Sequence, residues 1–389
     1  MTAPGDLPPE AYGVALSGLP GIGPARLAAL MNAWSPQEAW ERVGAGSAAV
    51  GDRAVAAACS DTERVGALWM RAAARVDVAR LWQAHVDAGV AVHVLSSPGY
   101  PAALGADSEA PAVLFSRGDV ASLSGRRVAI IGTRRCTRYG RDVAWELGHD
   151  LADNGVTVVS GLALGIDGAA HAGALSARRR GTVAAVVGSG LDVVYPRGNS
   201  SLWSEVATEG IILSEAPLGS APESWRFPVR NRVIAALAEV VVVVESPSKG
   251  GSLHTVDAAG ARGIPVMAVP GSVRSPASSF TNALLADGCA PARDALDVLV
   301  ALGLSCASGA AATDTRSPPD AAGTAVLKAI EWEPATLEEV VTRSGLEPVE
   351  ATMALDRLER DGWVNAKAGW WEQLSAATAR SLATVRRAP

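Results

Sequence analysis

Three arginines and a tyrosine crowd into "VAIIGTRRCTRYG", residues 128–140, directly after an apolar run that ends in Gly132. An arginine is a permanently charged planar fork that matches two phosphate oxygens at once. A strand-end glycine lets a ligand approach the backbone, and a helix starting just beyond it points free N–H groups at an anion. Gly132, Thr133 and Arg134 therefore read as the first part of a phosphate site. Packing offers Arg134 little else to do, so it is the arginine expected to touch phosphate.

The same residue types recur after the later apolar runs. "SGLALGIDGAAH" supplies Ser160, Gly161, Gly165, Asp167 and His171, and "GSGLDVVYP" supplies Gly188, Ser189, Gly190, Asp192 and Tyr195. "SEAPLG" carries Glu215, and "FPVRNRVIAALA" presents Phe227, Arg230, Asn231 and Arg232 at a helix start. "ESPSKGGSLHT" adds Lys249, Gly250, Gly251 and Ser252. A dinucleotide site would need G-x-G-x-x-G and an acidic residue about 20 positions on for the ribose, and both are missing. Arginines from separate loops suit a chain of phosphates better than one cofactor, so no cofactor is expected. Plainer readings stand beside the functional ones. Asp167 reads as the N-cap of the helix that carries His171, His171 as a packed histidine, and Asp192 and Glu215 as loop hydrogen-bonders. Arg178–Arg180 reads as a solvated helix end. Of Arg230 and Arg232, one is expected to face the pocket and the other to pack or pair.

Such loops need strands that end together. Apolar runs at Ala91–Leu95, Ala112–Phe115, Arg127–Ile131, Val156–Ser160, Thr182–Val187, Gly210–Leu213, Val240–Glu245 and Pro265–Val269 alternate with helical spacing. In "RYGRDVAWELGHDLADNG", Val143, Leu147 and Leu151 share one helical face. Continuous apolar strands alternating with helices predict an α/β fold with a doubly wound, mostly parallel sheet covered on both faces. Before it, residues 1–75 read as a helical domain, in which "LSGLPGIGPARLAALM" has the pattern of a helix-hairpin-helix or of a compact turn between packed helices. The sheet domain spans 80–305, a Ser/Ala/Gly/Asp/Pro-rich linker 306–322, a winged-helix domain 323–376 and a loosely ordered tail 377–389. Thr336 and Glu339 form the spacing of a capping box in the third of these.

Charge narrows the partners. The chain carries −6 overall, but residues 126–232 hold 13 Lys+Arg against 10 Asp+Glu and form the basic part. Residues 320–376 hold 5 against 11, so the winged helix would repel a duplex whose affinity comes largely from phosphate neutralisation. It is expected to contact protein instead, either the basic domain of its own chain or a partner. Scattered cysteines (Cys59, Cys136, Cys289, Cys306) indicate neither zinc nor a disulfide framework. No signal-peptide pattern and no apolar stretch of the roughly 18–20 residues that a membrane helix needs are found, so a cytoplasmic protein without membrane partners is expected.

Seven motifs in order, "GTR" (132–134), "SGLALGIDGAAH" (160–171), "GSGLDVVYP" (188–196), "SEAPLG" (214–219), "FPVRNRVIAALA" (227–238), "SKGGSLHT" (248–255) and "AVPGS" (268–272), resemble the DNA-processing protein A family, DprA or Smf. The resemblance spans roughly residues 90–300. It implies a Rossmann-like, non-enzymatic protein that binds single-stranded DNA, dimerises through that domain, and loads the recombinase RecA during transformation or homologous recombination. By the same resemblance, Arg134, Arg230, Arg232 and Lys249 would hold phosphates with the backbone around Gly132, Gly161, Gly188, Gly250 and Gly251. The neighbouring Thr133, Ser160, Ser189, Asn231 and Ser252 would join them, and Phe227, Tyr139 or Tyr195 would stack on a base. Gly250 stands where the family has a serine, which weakens the case for hydroxyl contacts at the Lys249 loop. Two other classes remain: a nucleoside-monophosphate glycosidase using Glu215 or Glu245, and a duplex-binding regulator acting through the winged helix.

Overall fold

The computed structural model describes residues 7–177, 181–304, 316–331, 333–367 and 369–374. The expected tail 377–389, the helix end Arg178–Arg180, Cys306 and most of the expected linker fall outside these residues. Contacts divide the chain into two compact units, Met1–Ser305 and Cys306–Pro389.

The first unit opens with six helices: α1 (Pro9–Ser17), α2 (Pro24–Ala33), α3 (Pro36–Gly44), α4 (Arg53–Ala58), α5 (Thr62–Ala73) and α6 (Val78–Asp87). Then come β1 (Ala91–Val94), α7 (Ala102–Gly105), β2 (Val113–Gly118), β3 (Arg127–Ile131), α8 (Arg138–Asp153), β4 (Thr157–Ser160) and α9 (Ile166–Leu175). β5 (Val183–Val187), α10 (Ser200–Glu209), β6 (Ile211–Ser214), α11 (Arg226–Leu237) and β7 (Val240–Val243) continue the alternation. It closes with α12 (Ser252–Ala261), β8 (Val266–Ala268), α13 (Ser279–Ala286), β9 (Ala290–Pro291) and α14 (Ala295–Ala301).

One nine-stranded sheet results, ordered β1-β2-β6-β5-β4-β3-β7-β8-β9. β2 pairs antiparallel with β1 and β6, and the remaining pairs are parallel. The period of two explains why its central strands are apolar throughout. Val128, Ile130, Val240 and Val242 enter the core on one face, while Ala129, Ile131, Val241 and Val243 enter the core on the other. The boundary expected between residues 75 and 80 does not separate two bodies. Val14, Leu16 and Trp69 of the N-terminal helices share one core with Val92, Val113 and Phe115 of the sheet. In the α1–α2 connection, Arg26 donates to the Gly21 carbonyl (2.7 Å) and the Trp69 indole to that of Pro20 (3.1 Å).

The second unit contains α15 (Ala321–Ala329), β10 (Ala335–Thr336), α16 (Leu337–Ser344), α17 (Pro348–Arg360), β11 (Val364–Lys367) and β12 (Trp370–Gln373), a winged helix. Thr336 and Glu339 make the capping box at the start of α16. Among the described residues no helix is long and apolar enough to cross a membrane.

Close packing of α8 on α9 rests on small residues. A Cβ at Gly148 of α8 would stand 2.2 Å from the Ala170 carbonyl oxygen of α9, and one at Gly173 2.0 Å from that of Trp145. Gly148→Ala should therefore destabilise by about 1–3 kcal/mol through overpacking. Gly260→Ala, in the last turn of α12 where nothing lies within 4 Å, should stabilise by about 0.4–1 kcal/mol through the unfolded chain. Denaturant unfolding of the two variants checks both signs. Burial, with a smaller push from the Arg230 charge, lowers His171 to about 4. The unfolded chain protonates near 6.5 and the native core refuses the proton, so this stability is complete above pH 6.5. About 3 kcal/mol of it should be lost as pH falls toward 4, read by unfolding across that window and by the His171 ring resonance.

Candidate nucleic-acid interface

The chain runs from β3 outward to β4, β5 and β6, then returns to β7 on the other side of β3. Ligands of such sheets bind beyond the strand ends near this switch. Here the loop after β3 is clamped from β7. The Glu245 carbonyl accepts from Thr133 N–H (2.7 Å), and the Glu245 carboxylate accepts from Thr137 N–H (2.8 Å) and the Thr137 hydroxyl (2.6 Å). Thr137 in turn caps α8 by accepting from Gly140 N–H (3.1 Å). Gly132 and Gly140 are glycines because a Cβ would come 2.7 Å from the Glu245 carbonyl oxygen and 2.3 Å from its carboxylate. Glu245 is buried, so the arginine-bearing loop hangs on a carboxylate beneath it. The sequence offered Glu245 as a strand-end acid and a possible glycosidase carboxylate, and its bonds to Thr137, 108 positions away, leave no mark in the linear order.

The three arginines on that loop part company. Arg138 pairs with Asp142 at 3.6 Å on its own helix, and Arg135 is exposed. Arg134 lies over the Phe227 ring, 4.9 Å from its centroid. Phe227 in turn meets Tyr195, with ring centroids 5.6 Å apart. These three, with Gly161, Gly188, Ser189 and Arg230, line a groove of about 120 Å³ across the ends of β3, β4 and β5. Arg134 is exposed at its edge while the rings form its wall. Such a wall is sequence-tolerant, because every base has a face to stack.

Several expected contacts are turned inward instead. Arg230 is buried and donates to the carbonyls of Gly161 (2.9 Å) and Val186, with its Nε unpartnered. It is a prop in the floor rather than a surface fork, because β4 and β5 end with carbonyls that it satisfies. Gly161 makes room for it: a Cβ there would stand 2.3 Å from its guanidinium. Burial lowers Arg230 to about 10, so it stays charged at neutral pH, and Asp167 opposes it. Asp167 does not cap its own helix; it reaches back to accept from Gly161 N–H at 3.1 Å. Burial holds its carboxyl above the ordinary range against the pull of Arg230. Arg232 is committed to Glu215 and the Glu109 carbonyl and lies outside the groove. Arg230 thus packs into the floor and Arg232 pairs with Glu215.

The hydroxyls are equally occupied. Ser160 donates to the Ile130 carbonyl (2.7 Å), Ser189 to that of Val193 (2.8 Å) and Ser252 to Ser246 Oγ (2.6 Å). These side chains build the loops and have no hydrogen left for phosphate. Gly250 packs on Ser246 Oγ, whereas Gly251 has open space. Asn231 donates to the Gly251 carbonyl (3.1 Å), tying the loop of exposed Lys249 to α11. Tyr139 is exposed, with its hydroxyl on the Pro270 carbonyl (2.8 Å), and is not part of the groove wall. His171 is packed, its Nε2 3.3 Å from the Ala184 carbonyl oxygen. Asp192 accepts from Gly219 N–H (2.9 Å), the loop role expected for it.

Comparison with known proteins places the chain in a family. A family model described as DNA recombination-mediator protein A matches residues 91–303, and one described as the DprA winged helix domain matches residues 310–369. The DNA processing protein DprA of Bacillus subtilis is 39% identical over 220 residues, covering 56% of this chain and 73% of that protein. Protein Smf of Escherichia coli is 33% identical over 286 residues, covering 72% and 76%. The X-ray structure of DNA processing protein A from Streptococcus pneumoniae superposes with a TM-score of 0.62 at 29% identity, over 76% of this chain and 98% of that one. With both of its units matched in order, the chain belongs to the DNA recombination-mediator protein A (DprA/Smf) family.

Proposed function

We propose that this chain binds single-stranded DNA without sequence selection, gripping its sugar-phosphate backbone at the groove beyond β3–β5. The observation that carries the reading is Arg134, exposed above the Phe227 ring and beside Tyr195: one cation for phosphate with a stacking wall next to it. Exposed Arg135 and Lys249 and the buried charge of Arg230 add positive potential around it. Phosphate contacts fix a strand in place and carry no sequence information. As in the family it belongs to, the protein would act as a cytoplasmic homodimer that shields strands and hands them to RecA in transformation or recombination, without catalysing a reaction.

The glycosidase reading has no groove carboxylate to use. Glu215 is tied to Arg232, and Glu245 to Thr137. The duplex reading meets a recognition helix whose cations are spent, since Arg357 pairs with Asp320 (3.0 Å) and Arg360 with Asp356 (2.5 Å).

Fluorescence anisotropy with a labelled oligonucleotide tests the site. Arg134→Ala should weaken single-strand binding at least about tenfold and flatten its salt dependence, and Phe227→Ala should cost about 1–3 kcal/mol. Binding unchanged by Arg134→Ala would move the site off this groove. Glu245→Gln should cost about 1–3 kcal/mol of stability, because an amide opposes one of the two Thr137 donors. It should also weaken the single strand while touching no nucleotide, measured by parallel unfolding and anisotropy titrations.

A further inference from the structure

A second, larger cavity lies on the other side of the α11 start. Its volume is about 810 Å³, within the range of small-molecule sites. α2 and the start of α3 form one side, the segment before β2 another, and the ends of β5 and β6 with α11 the floor. It shares Val187, Gly188 and Arg230 with the phosphate groove, so the two are separated by a common wall. Three of the seven motifs supply its floor through Gly188, Ser214–Ala216 and Val229, Arg230 and Arg232, but its opposite side comes from residues 17–38, which no motif covers.

Its lining differs from the groove in kind. Glu38, Glu109 and Glu215 stand among Arg226, Arg230 and Arg232, so acids and bases are mixed in its lining. Most of these charges are paired: Arg232 with Glu215, Glu38 with Arg42 at 3.0 Å, Glu109 with Arg262 at 2.7 Å and Arg226 with Glu223 at 3.3 Å. What remains is aromatic surface and neutral polarity. The indoles of Trp34 and Trp225 both line the space, and Trp225 is 44% exposed. Each carries a guanidinium over its ring, Arg42 at 4.8 Å and Arg226 at 4.6 Å, and Trp34 also packs against the core, so both ring planes are fixed. Exposed Asn32 adds both a donor and an acceptor.

We propose that this cavity is a nucleobase subsite, which takes one planar, uncharged, hydrogen-bonding base against Trp225 and Trp34. The base comes either from the strand held in the adjoining groove, which rests on the single-strand reading above, or from a free nucleoside. Charge sorts the two compartments: the groove takes phosphate and the neutral cavity takes a base.

The test uses the full chain and two labelled oligonucleotides of equal length, one with bases and one made wholly of abasic sugar-phosphate. Trp225→Ala removes a stacking face, and Ala25→Trp, at an exposed position on the cavity rim, fills the space. Free deoxynucleosides are offered separately, with binding read by saturation-transfer NMR. For a base from the strand, each variant should lower the preference for the base-bearing over the abasic strand about fivefold, leaving abasic binding within about twofold of wild type. For a free nucleoside, the strand preference stays and the saturation-transfer signal of wild type disappears in Ala25→Trp. If both the strand preference and the nucleoside signal are indifferent to both variants, the cavity is not a base site. A wild-type chain that binds neither oligonucleotide overturns the groove reading alone, and the nucleoside arm then decides the cavity by itself.

Discussion

A buried guanidinium organises the business end of this sheet. Arg230 projects from α11 beneath the ends of β4 and β5 and satisfies the carbonyls of Gly161 and Val186, which would otherwise be orphaned where the strands stop. A buried charge is tolerable only with partners and an opposing charge, and Asp167 supplies the latter from the next helix while holding the backbone of Gly161. Glycine at 161 follows, because any side chain there would collide with the guanidinium. The floor of the groove is thus built from a residue type usually thought of as a surface ligand.

Glu245 plays the matching part on the other side of the switch point. Its carbonyl and carboxylate receive the backbone and the hydroxyl of the loop that carries Arg134. Preorganisation of this sort matters for a nonspecific grip, since a long cation ordered only on binding forfeits part of its interaction to conformational entropy. Phe227 contributes similarly by lying under Arg134. The groove therefore presents its cation and its stacking wall before any ligand arrives.

The winged unit follows a different electrostatic plan. Its helix α17 keeps its arginines in ion pairs, one with Asp320 and one with Asp356 on its own helix, and exposes Val349 and Met353 one turn apart.

Much of this architecture was legible in the sequence. Unbroken apolar runs at the helix-strand alternation period fixed the parallel sheet, since side chains of a strand buried on both faces need no polar positions. The strand-end glycines and Arg134 were expected to gather at one end of the sheet, and Gly161, Gly188 and Arg134 do line one groove there. What composition could not separate was the use of each polar side chain. Arg230 and Arg232 sit two positions apart on one helix start, yet one props the floor and the other pairs with Glu215 behind it. Ser160, Ser189 and Ser252 resemble phosphate donors in a linear motif, but each is consumed by a carbonyl or hydroxyl brought close only by folding. The cavity beside the groove was invisible for the same reason. Its walls come from segments separated by more than two hundred residues along the chain, and hydrogen-bond partners and empty space are properties of the assembled surface rather than of the order in which residues are joined.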